Sequence, residues 1–296
     1  MGLMRLYQTL FSNSLYLTYK SYNFKDLMKL IDKFNCFLID LDGVVYVESS
    51  PTEGSVETIN YLKNIGKSVL FITNDPRSSS SDYTQKLRGM GLLVEENEVI
   101  TSAMAIARHI RAHTENSDKK NAYVVGSGAL KKEIELAGLT LVDGEEAKKA
   151  DYVILGGHPE FHYNELKLAT LALRNGAEFF ATSRDPAYPS SEGHIPATGA
   201  MLASIEVASE KKAVVAGKPD KIIFEEALSH SKCPDKSNTA IIGDRLDTDI
   251  LGGHLAGIST ILTLSGSTKI EDVKISEIKP DYIINDLRDL LKEIDD

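Results

Sequence analysis

Asp40 and Asp42 stand two positions apart at the end of the apolar run Cys36-Phe37-Leu38-Ile39, and Gly43 follows them directly. Carboxylates in such a place are costly. A glycine there lets the backbone turn away, so that both side chains project beyond the strand. Two acids in different environments can divide nucleophilic attack on phosphorus from the handling of protons. Alone, an Asp-Gly pair after a strand reads as a turn. Three later segments, each closing an apolar run, change that reading: Thr73-Asn74, Gly217-Lys218-Pro219 and Gly243-Asp244-Arg245-Leu246-Asp247-Thr248-Asp249. Thr73 offers a hydroxyl and an N–H to phosphate oxygens, and Lys218 a compact cation. The late aspartates make a hard-oxygen site suited to magnesium. A phosphoryl transition state needs donors and metal charge distributed in this way. Singly, a strand ending in Thr-Asn simply turns and a lysine is solvated; together the segments point to phosphoryl chemistry.

The elements that must carry these groups follow from periodicity. Near-continuous apolar runs alternate with amphipathic stretches: CFLID at 36–40, a helix near 55–65, and SVLFIT at 68–73. This pattern predicts a parallel sheet covered on both faces, with its ligand at the carboxyl ends of the strands. A second set of units follows: AYVV at 122–125 with a helix to about 137, YVIL at 152–155 with a helix near 163–175, EFFAT at 178–182, and a helix at about 198–209. A third set comprises AVVAG at 213–217, TAIIG at 239–243, ISTILTL at 258–264 and a helix from about 285.

The chain has 296 residues, a formal net charge of −10 and 26% charged content. An acidic chain of this kind does not present a nucleic-acid surface, and one that handles an acidic substrate must import local positive charge such as a metal ion. Cys36 and Cys233 have neither zinc spacing nor a disulfide framework, which points to a reducing, cytoplasmic setting. No run reaches the roughly 18 to 20 apolar residues of a membrane span. The first 25 residues hold Arg5, Lys20 and Lys25 and no acid, a pattern shared with transit peptides but lacking a cleavage site. Residues 1–33 therefore stand apart as a leader with no assigned role, and Met28 could begin a complete domain.

The four segments resemble the signature motifs of the haloacid dehalogenase superfamily. From Asp40 to about residue 290, with GKSVLFITN, GKPD and GDRLDTDI, the chain is similar to the 4-nitrophenylphosphatase branch, which includes phosphoglycolate and pyridoxal phosphate phosphatases. The resemblance implies an α/β fold: a Rossmann-like, doubly wound parallel-sheet core at 34–103 and 212–296, with an inserted C2-type α/β cap at 104–211. It implies that Asp40 is the nucleophile and Asp42 the general acid/base. Magnesium would be held by Asp40, the backbone carbonyl of Asp42 and Asp244. Thr73, Asn74 and Lys218 would bind phosphate, and Asp249 would support Asp244, a metal water or Lys218. Asp247 falls at a variable position and reads as a surface residue. Asp42 also separates phosphatases from dehalogenases, whose halide leaving group needs no proton.

The implied activity is magnesium-dependent hydrolysis of a small phosphorylated metabolite through an aspartyl-phosphate. Phosphoglycolate, a sugar or glycerol phosphate and a nucleotide are the candidates, with 4-nitrophenyl phosphate as an artificial substrate. The alternatives are a pyridoxal phosphate phosphatase, a phosphotransferase and a non-catalytic binding module. Relatives pair through their caps, so a homodimer is also expected. Specificity is expected in the cap, where Asp185, Tyr188 and His194 lie in a turn-rich stretch that resembles the substrate-facing region of the branch. Tyr188 stands where the pyridoxal phosphatases carry His, which weighs against that substrate. His158 and His162 flank a glutamate, but Pro159 opposes a helix across them, so the segment reads as a capped loop before the next helix. Asp75, where relatives carry Asn, either pairs with Arg77 or points away.

Overall fold

The computed structural model describes residues 30–114, 118–190, 192–233 and 235–291. In chain order its first strands are β1 (Cys36–Asp40), β2 (Tyr46–Val47), β3 (Ser50–Pro51), β4 (Ser68–Thr73) and β5 (Val99–Thr101). Next come β6 (Asn121–Val125), β7 (Thr140–Leu141), β8 (Tyr152–Leu155), β9 (Glu178–Ala181), β10 (Ala187–Ser190) and β11 (Gly193–Pro196). The last are β12 (Val214–Val215), β13 (Thr239–Gly243), β14 (Ser259–Thr263) and β15 (Tyr282–Ile284).

Six strands form one parallel sheet in the order β15-β14-β13-β1-β4-β5. Every residue of β1, β4 and β13 is buried, as continuous apolar runs require when both faces are covered. Alternate side chains divide between the faces. Phe37, Ile39, Val69 and Phe71 pack with Ile59 and Leu62 of helix Ser55–Asn64 and Leu87 of helix Ser80–Gly89. Leu38, Leu70 and Ile72 pack with Ile106 and Ile110 of helix Ser102–Thr114 and Phe224 of helix Lys221–His230. Each such apolar side chain stabilises the fold by about 1.5 to 3 kcal/mol relative to exposure. The chain leaves β1 toward β4 on one side and later adds β13 to its other side. The reversal of direction lies at the carboxyl end of β1, where Asp40 stands.

The insertion between β5 and β13 contains a second parallel sheet, β12-β9-β8-β6-β7, and an antiparallel hairpin of β10 and β11. Together the two sheets and their helices are the doubly wound α/β architecture with an inserted α/β cap.

Four sequence expectations are corrected. Val214–Val215, grouped with the late core units, pairs with β9 and so belongs to the inserted sheet. Helix Ser102–Thr114 runs straight through the expected boundary at 103/104 and packs against helices of both units. Leu30 and Ile31, assigned to the leader, are buried with Phe34 against Phe37; the leader's residues 1–29 lie outside the described residues. Among the described residues, the stretch from about 285, expected as a helix, forms one 3-10 turn, Leu287–Leu290, directly after the strand β15. The reason is local: Asp286 accepts from the Arg288 N–H and Asp289 from the Asn285 N–H, which tightens the turn.

Candidate active site

Four charged groups meet beyond the carboxyl ends of β1 and β13. Lys218 donates to Asp40 Oδ1 at 2.6 Å and to Asp249 Oδ1 at 2.7 Å. Asp40, Lys218, Asp244 and Asp249 are 8%, 3%, 2% and 0% exposed, so all four charges have lost most of their water. Oxygens of Asp40, Asp244 and Asp249 lie within 4.8 Å of one another. Burial drives the Asp40 carboxyl well above the ordinary carboxylate range; Lys218 opposes that rise, and Asp249 and Asp244 add to it. Asp244 is raised likewise by burial and then by Asp249, against the pull of the Ser267 N–H at 2.6 Å. Burial draws the Lys218 ammonium down, yet Asp249 and Asp40 outweigh it and hold the lysine charged.

Three buried carboxylates facing one ammonium leave an excess of negative charge that a divalent cation would neutralise. An all-oxygen donor set of this size suits magnesium.

The surroundings of Asp244 were not legible in the sequence. A Cβ added at Gly266 would stand 2.1 Å from Asp244 Oδ2, and one at Gly43, whose φ is +81°, would stand 2.6 Å away. Glycine is needed at both positions for the backbone to approach the carboxylate. Ser265 Oγ donates to the Gly43 carbonyl at 2.8 Å, fastening the loop after β14 to the loop after β1. The run Ser265-Gly266-Ser267 after an apolar strand was the only signal of this support.

Thr73, buried at the end of β4, accepts from the Asp75 N–H at 3.1 Å. Asn74, expected to bind phosphate, has its side-chain amide engaged by the protein. Its Nδ2 donates to Asp185 Oδ2 at 2.7 Å and to the Lys218 carbonyl at 3.0 Å, and its Oδ1 accepts from the Lys218 N–H at 2.7 Å. The amide holds Lys218 in place and has no donor left for phosphate. Asp185 is engaged in the same way. Its Oδ2 also accepts from Ser183 Oγ at 2.7 Å, and its Oδ1 from Arg245 Nη1 at 2.8 Å, so the carboxylate is occupied by protein donors. Asp249 takes the Arg245 N–H as well as Lys218, and Asp247 is a largely exposed partner of the Arg245 guanidinium.

Asp42 opens to solvent along one side while the protein around it strips away much of the rest. Its carboxyl is raised, first by that burial and then by Asp75, with Lys86, Lys218 and Arg77 pulling down. The flap of β2 and β3 begins beside it, where the Gly43 N–H donates to the Tyr46 carbonyl at 2.8 Å. Lys86 lies 3.4 Å over the Tyr46 ring. Asp75 pairs with Arg77 through two bonds of 2.8 and 2.7 Å, and the Arg77 guanidinium stacks 4.5 Å over the ring of Tyr188. Tyr188 thus reaches the core side of the cleft with one ring face already covered. His194 does not accompany it. In the β10–β11 register Tyr188 pairs with Ile195 and His194 with Pro189, which puts Tyr188 and His194 on opposite faces of the ribbon. His194 is exposed there. His162 caps helix Tyr163–Arg174 and His158 pairs with Glu165, as a capped loop would have it.

Two family descriptions match the chain: haloacid dehalogenase-like hydrolase over residues 37–140 and HAD-hydrolase-like over 215–290. An acid sugar phosphatase of Staphylococcus saprophyticus is 34% identical over 262 residues, which cover 88% of this chain and 98% of that protein. Among solved structures, a 4-nitrophenylphosphatase from Thermotoga maritima superposes with a TM-score of 0.82 at 34% identity, covering 90% of this chain and 99% of the other. A glycerol phosphate phosphatase from Mycobacterium tuberculosis in complex with magnesium gives a TM-score of 0.80 at 31% identity, covering 88% of this chain and 77% of the other.

Proposed function

Since the chain belongs to the haloacid dehalogenase-like hydrolases and is one of their phosphatases, we propose that it hydrolyses a small phosphate monoester, with magnesium as cofactor and Asp40 as nucleophile. The observation that carries this reading is the pairing of buried Lys218 with Asp40 at 2.6 Å beside the three-carboxylate cluster. Asp40, Asp244 and the backbone carbonyl of Asp42 would hold the metal, which when bound would neutralise the carboxylates and the charge of the phosphoryl group.

The remaining work falls to the chain's own residues. Lys218 would bind a phosphoryl oxygen and bear the charge that develops there, and Thr73 would bind another through its hydroxyl or N–H. Asp40 would displace the alkoxide, forming a bond from its oxygen to phosphorus as the ester bond breaks. Asp42, whose raised carboxyl keeps a proton more readily than an ordinary aspartate, would give that proton to the leaving oxygen. It would then take one from the water that cleaves the acyl phosphate. The names of the relatives favour a sugar phosphate or glycerol phosphate as substrate. No helix among the described residues is long and apolar enough to cross a membrane. The expected cytoplasmic setting and pairing through the cap stand as part of the same proposal.

The test is release of phosphate from 4-nitrophenyl phosphate and from a panel of sugar and glycerol phosphates, with magnesium and with excess EDTA. Turnover is expected to require the metal and to fall by at least about 1000-fold in Asp40→Asn. Undiminished activity in EDTA would overturn the metal assignment, and an active Asp40→Asn enzyme would overturn the nucleophile.

A further inference from the structure

Lys218 reaches the active site directly from the inserted sheet. β12 ends at Val215, and the Ala216 and Gly217 N–H groups still bond to the Ala181 and Thr182 carbonyls at 3.0 and 2.9 Å, continuing the pairing with β9. The next residue is Lys218, whose ammonium lies on Asp40. The position of this lysine is therefore set from two sides, by the inserted sheet behind it and by the core in front.

Asp185 lies where those influences meet. It belongs to the insertion, a few residues beyond β9, and is linked to two residues that each follow a core strand. Asn74 follows Thr73, and Arg245 follows Asp244. The Asn74 amide that donates to Asp185 also makes both backbone hydrogen bonds to Lys218. A Cβ at Gly217 would stand 2.4 Å from the Thr182 carbonyl and 2.6 Å from Asn74 Oδ1, so the segments interlock. Asp185 accepts from three donors, with bonds of 2.7, 2.7 and 2.8 Å, and its own N–H donates to Ser183 Oγ at 2.9 Å. Charge-assisted bonds of this length orient their partners strongly.

We infer that Asp185 is a positioning residue for phosphoryl transfer: seated between Asn74 and Arg245, it fixes the Asn74 amide and through it the placement of Lys218. A substrate-contacting role is disfavoured because both of its oxygens already accept from protein donors and because its negative charge would repel a phosphate. The carboxylate also neutralises Arg245, so that Lys218 remains the cation presented to the phosphoryl group. The inference rests on the hydrolytic reading above, because the lysine's placement matters to rate only if it binds the transferred group.

The experiment is a double-mutant cycle of Asp185→Asn and Asn74→Ala in the full chain with magnesium and 4-nitrophenyl phosphate. Asp185→Asn keeps the size of the side chain but replaces an acceptor by a donor facing Asn74 or Arg245. Its kcat is expected to fall by about 10- to 100-fold, the scale of a small misplacement of a reacting group, with KM changed less than about threefold. Inhibition by orthovanadate, which imitates the transferring phosphoryl group, should weaken by the same factor as kcat/KM. In the Asn74→Ala background, Asp185→Asn should cost less than about twofold more, because the two act in series.

A kcat within about twofold of wild type, a loss confined to KM, or full multiplication of the two losses would overturn the inference. Arg245→Lys probes the same carboxylate from its other partner and is read in the same cycle if Asp185→Asn does not fold. A wild-type chain that releases no phosphate overturns the hydrolytic reading and this one with it. An active wild type with indifferent variants overturns only the role of Asp185.

Discussion

Replacing Asp244 by Asn is expected to make the metal-free protein more stable and the enzyme inactive. The carboxylates of Asp40, Asp244 and Asp249 have oxygens within 4.8 Å of one another, and Lys218 is bound to the other two rather than to Asp244. Unit charges about 4.8 Å apart at an effective dielectric of about 20 interact by about 3.5 kcal/mol. Two repulsions less one attraction therefore leave about 3.5 kcal/mol against the ionised Asp244. The amide gives back roughly 1 kcal/mol by accepting less strongly from the Ser267 N–H. With the three carboxylates ionised, the variant in EDTA should be more stable by about 2.5 kcal/mol, a rise of roughly 5 °C in unfolding temperature. Magnesium reverses the order: at about 1,000 times its dissociation constant it stabilises the wild type by about 4.1 kcal/mol and the variant scarcely at all. Thermal unfolding in EDTA and in graded magnesium measures both effects, and turnover should drop by about 100-fold or more. A variant less stable than wild type in EDTA, or one with the wild-type response to magnesium, would refute the reasoning.

Asp42→Asn should lower kcat/KM by about 100- to 10,000-fold for an alkyl phosphate such as glycerol 3-phosphate, and by much less for 4-nitrophenyl phosphate, whose leaving group needs little protonation. Equal losses with both would show that Asp42 does not deliver the proton. Gly266→Ala would put a methyl 2.1 Å from Asp244 Oδ2 and push the carboxylate aside. Magnesium affinity, measured by calorimetry, should weaken by about 10- to 100-fold, as when the support of a metal ligand is lost; unchanged affinity would exclude the crowding argument.

The strands of the first sheet were legible because burial on both faces demands unbroken apolar runs, and SVLFIT at 68–73 and TAIIG at 239–243 coincide with β4 and β13. The placement of Asp40, Thr73 and Asp244 was legible for a related reason, since polar residues that close such runs stand at the sheet's ligand edge, whereas Lys218 closes a run of the inserted sheet and meets Asp40 from there. The bond between Asn74 and Asp185 was not legible. Their contact spans 111 positions, and nothing local distinguishes an amide that binds a substrate from one saturated by another loop. The separation of Tyr188 from His194 depended on the hairpin register, where a one-residue slip exchanges the faces. Val214–Val215 was misplaced because two apolar residues suit the edge of either sheet, and pairing with β9 decided it.

Helix Ser102–Thr114 carries a consequence for how the molecule comes apart. Its Ala103, Ile106 and Ile110 belong to one buried apolar layer with Leu38 and Ile72 of the first sheet and Val124, Ile154 and Phe180 of the second. Excising the insertion would strip one side of that layer and leave the helix without half of its cover. The two sheets should therefore melt in a single cooperative transition, and exchanging specificity between relatives should succeed when the whole helix travels with the graft and fail when the junction is cut within it.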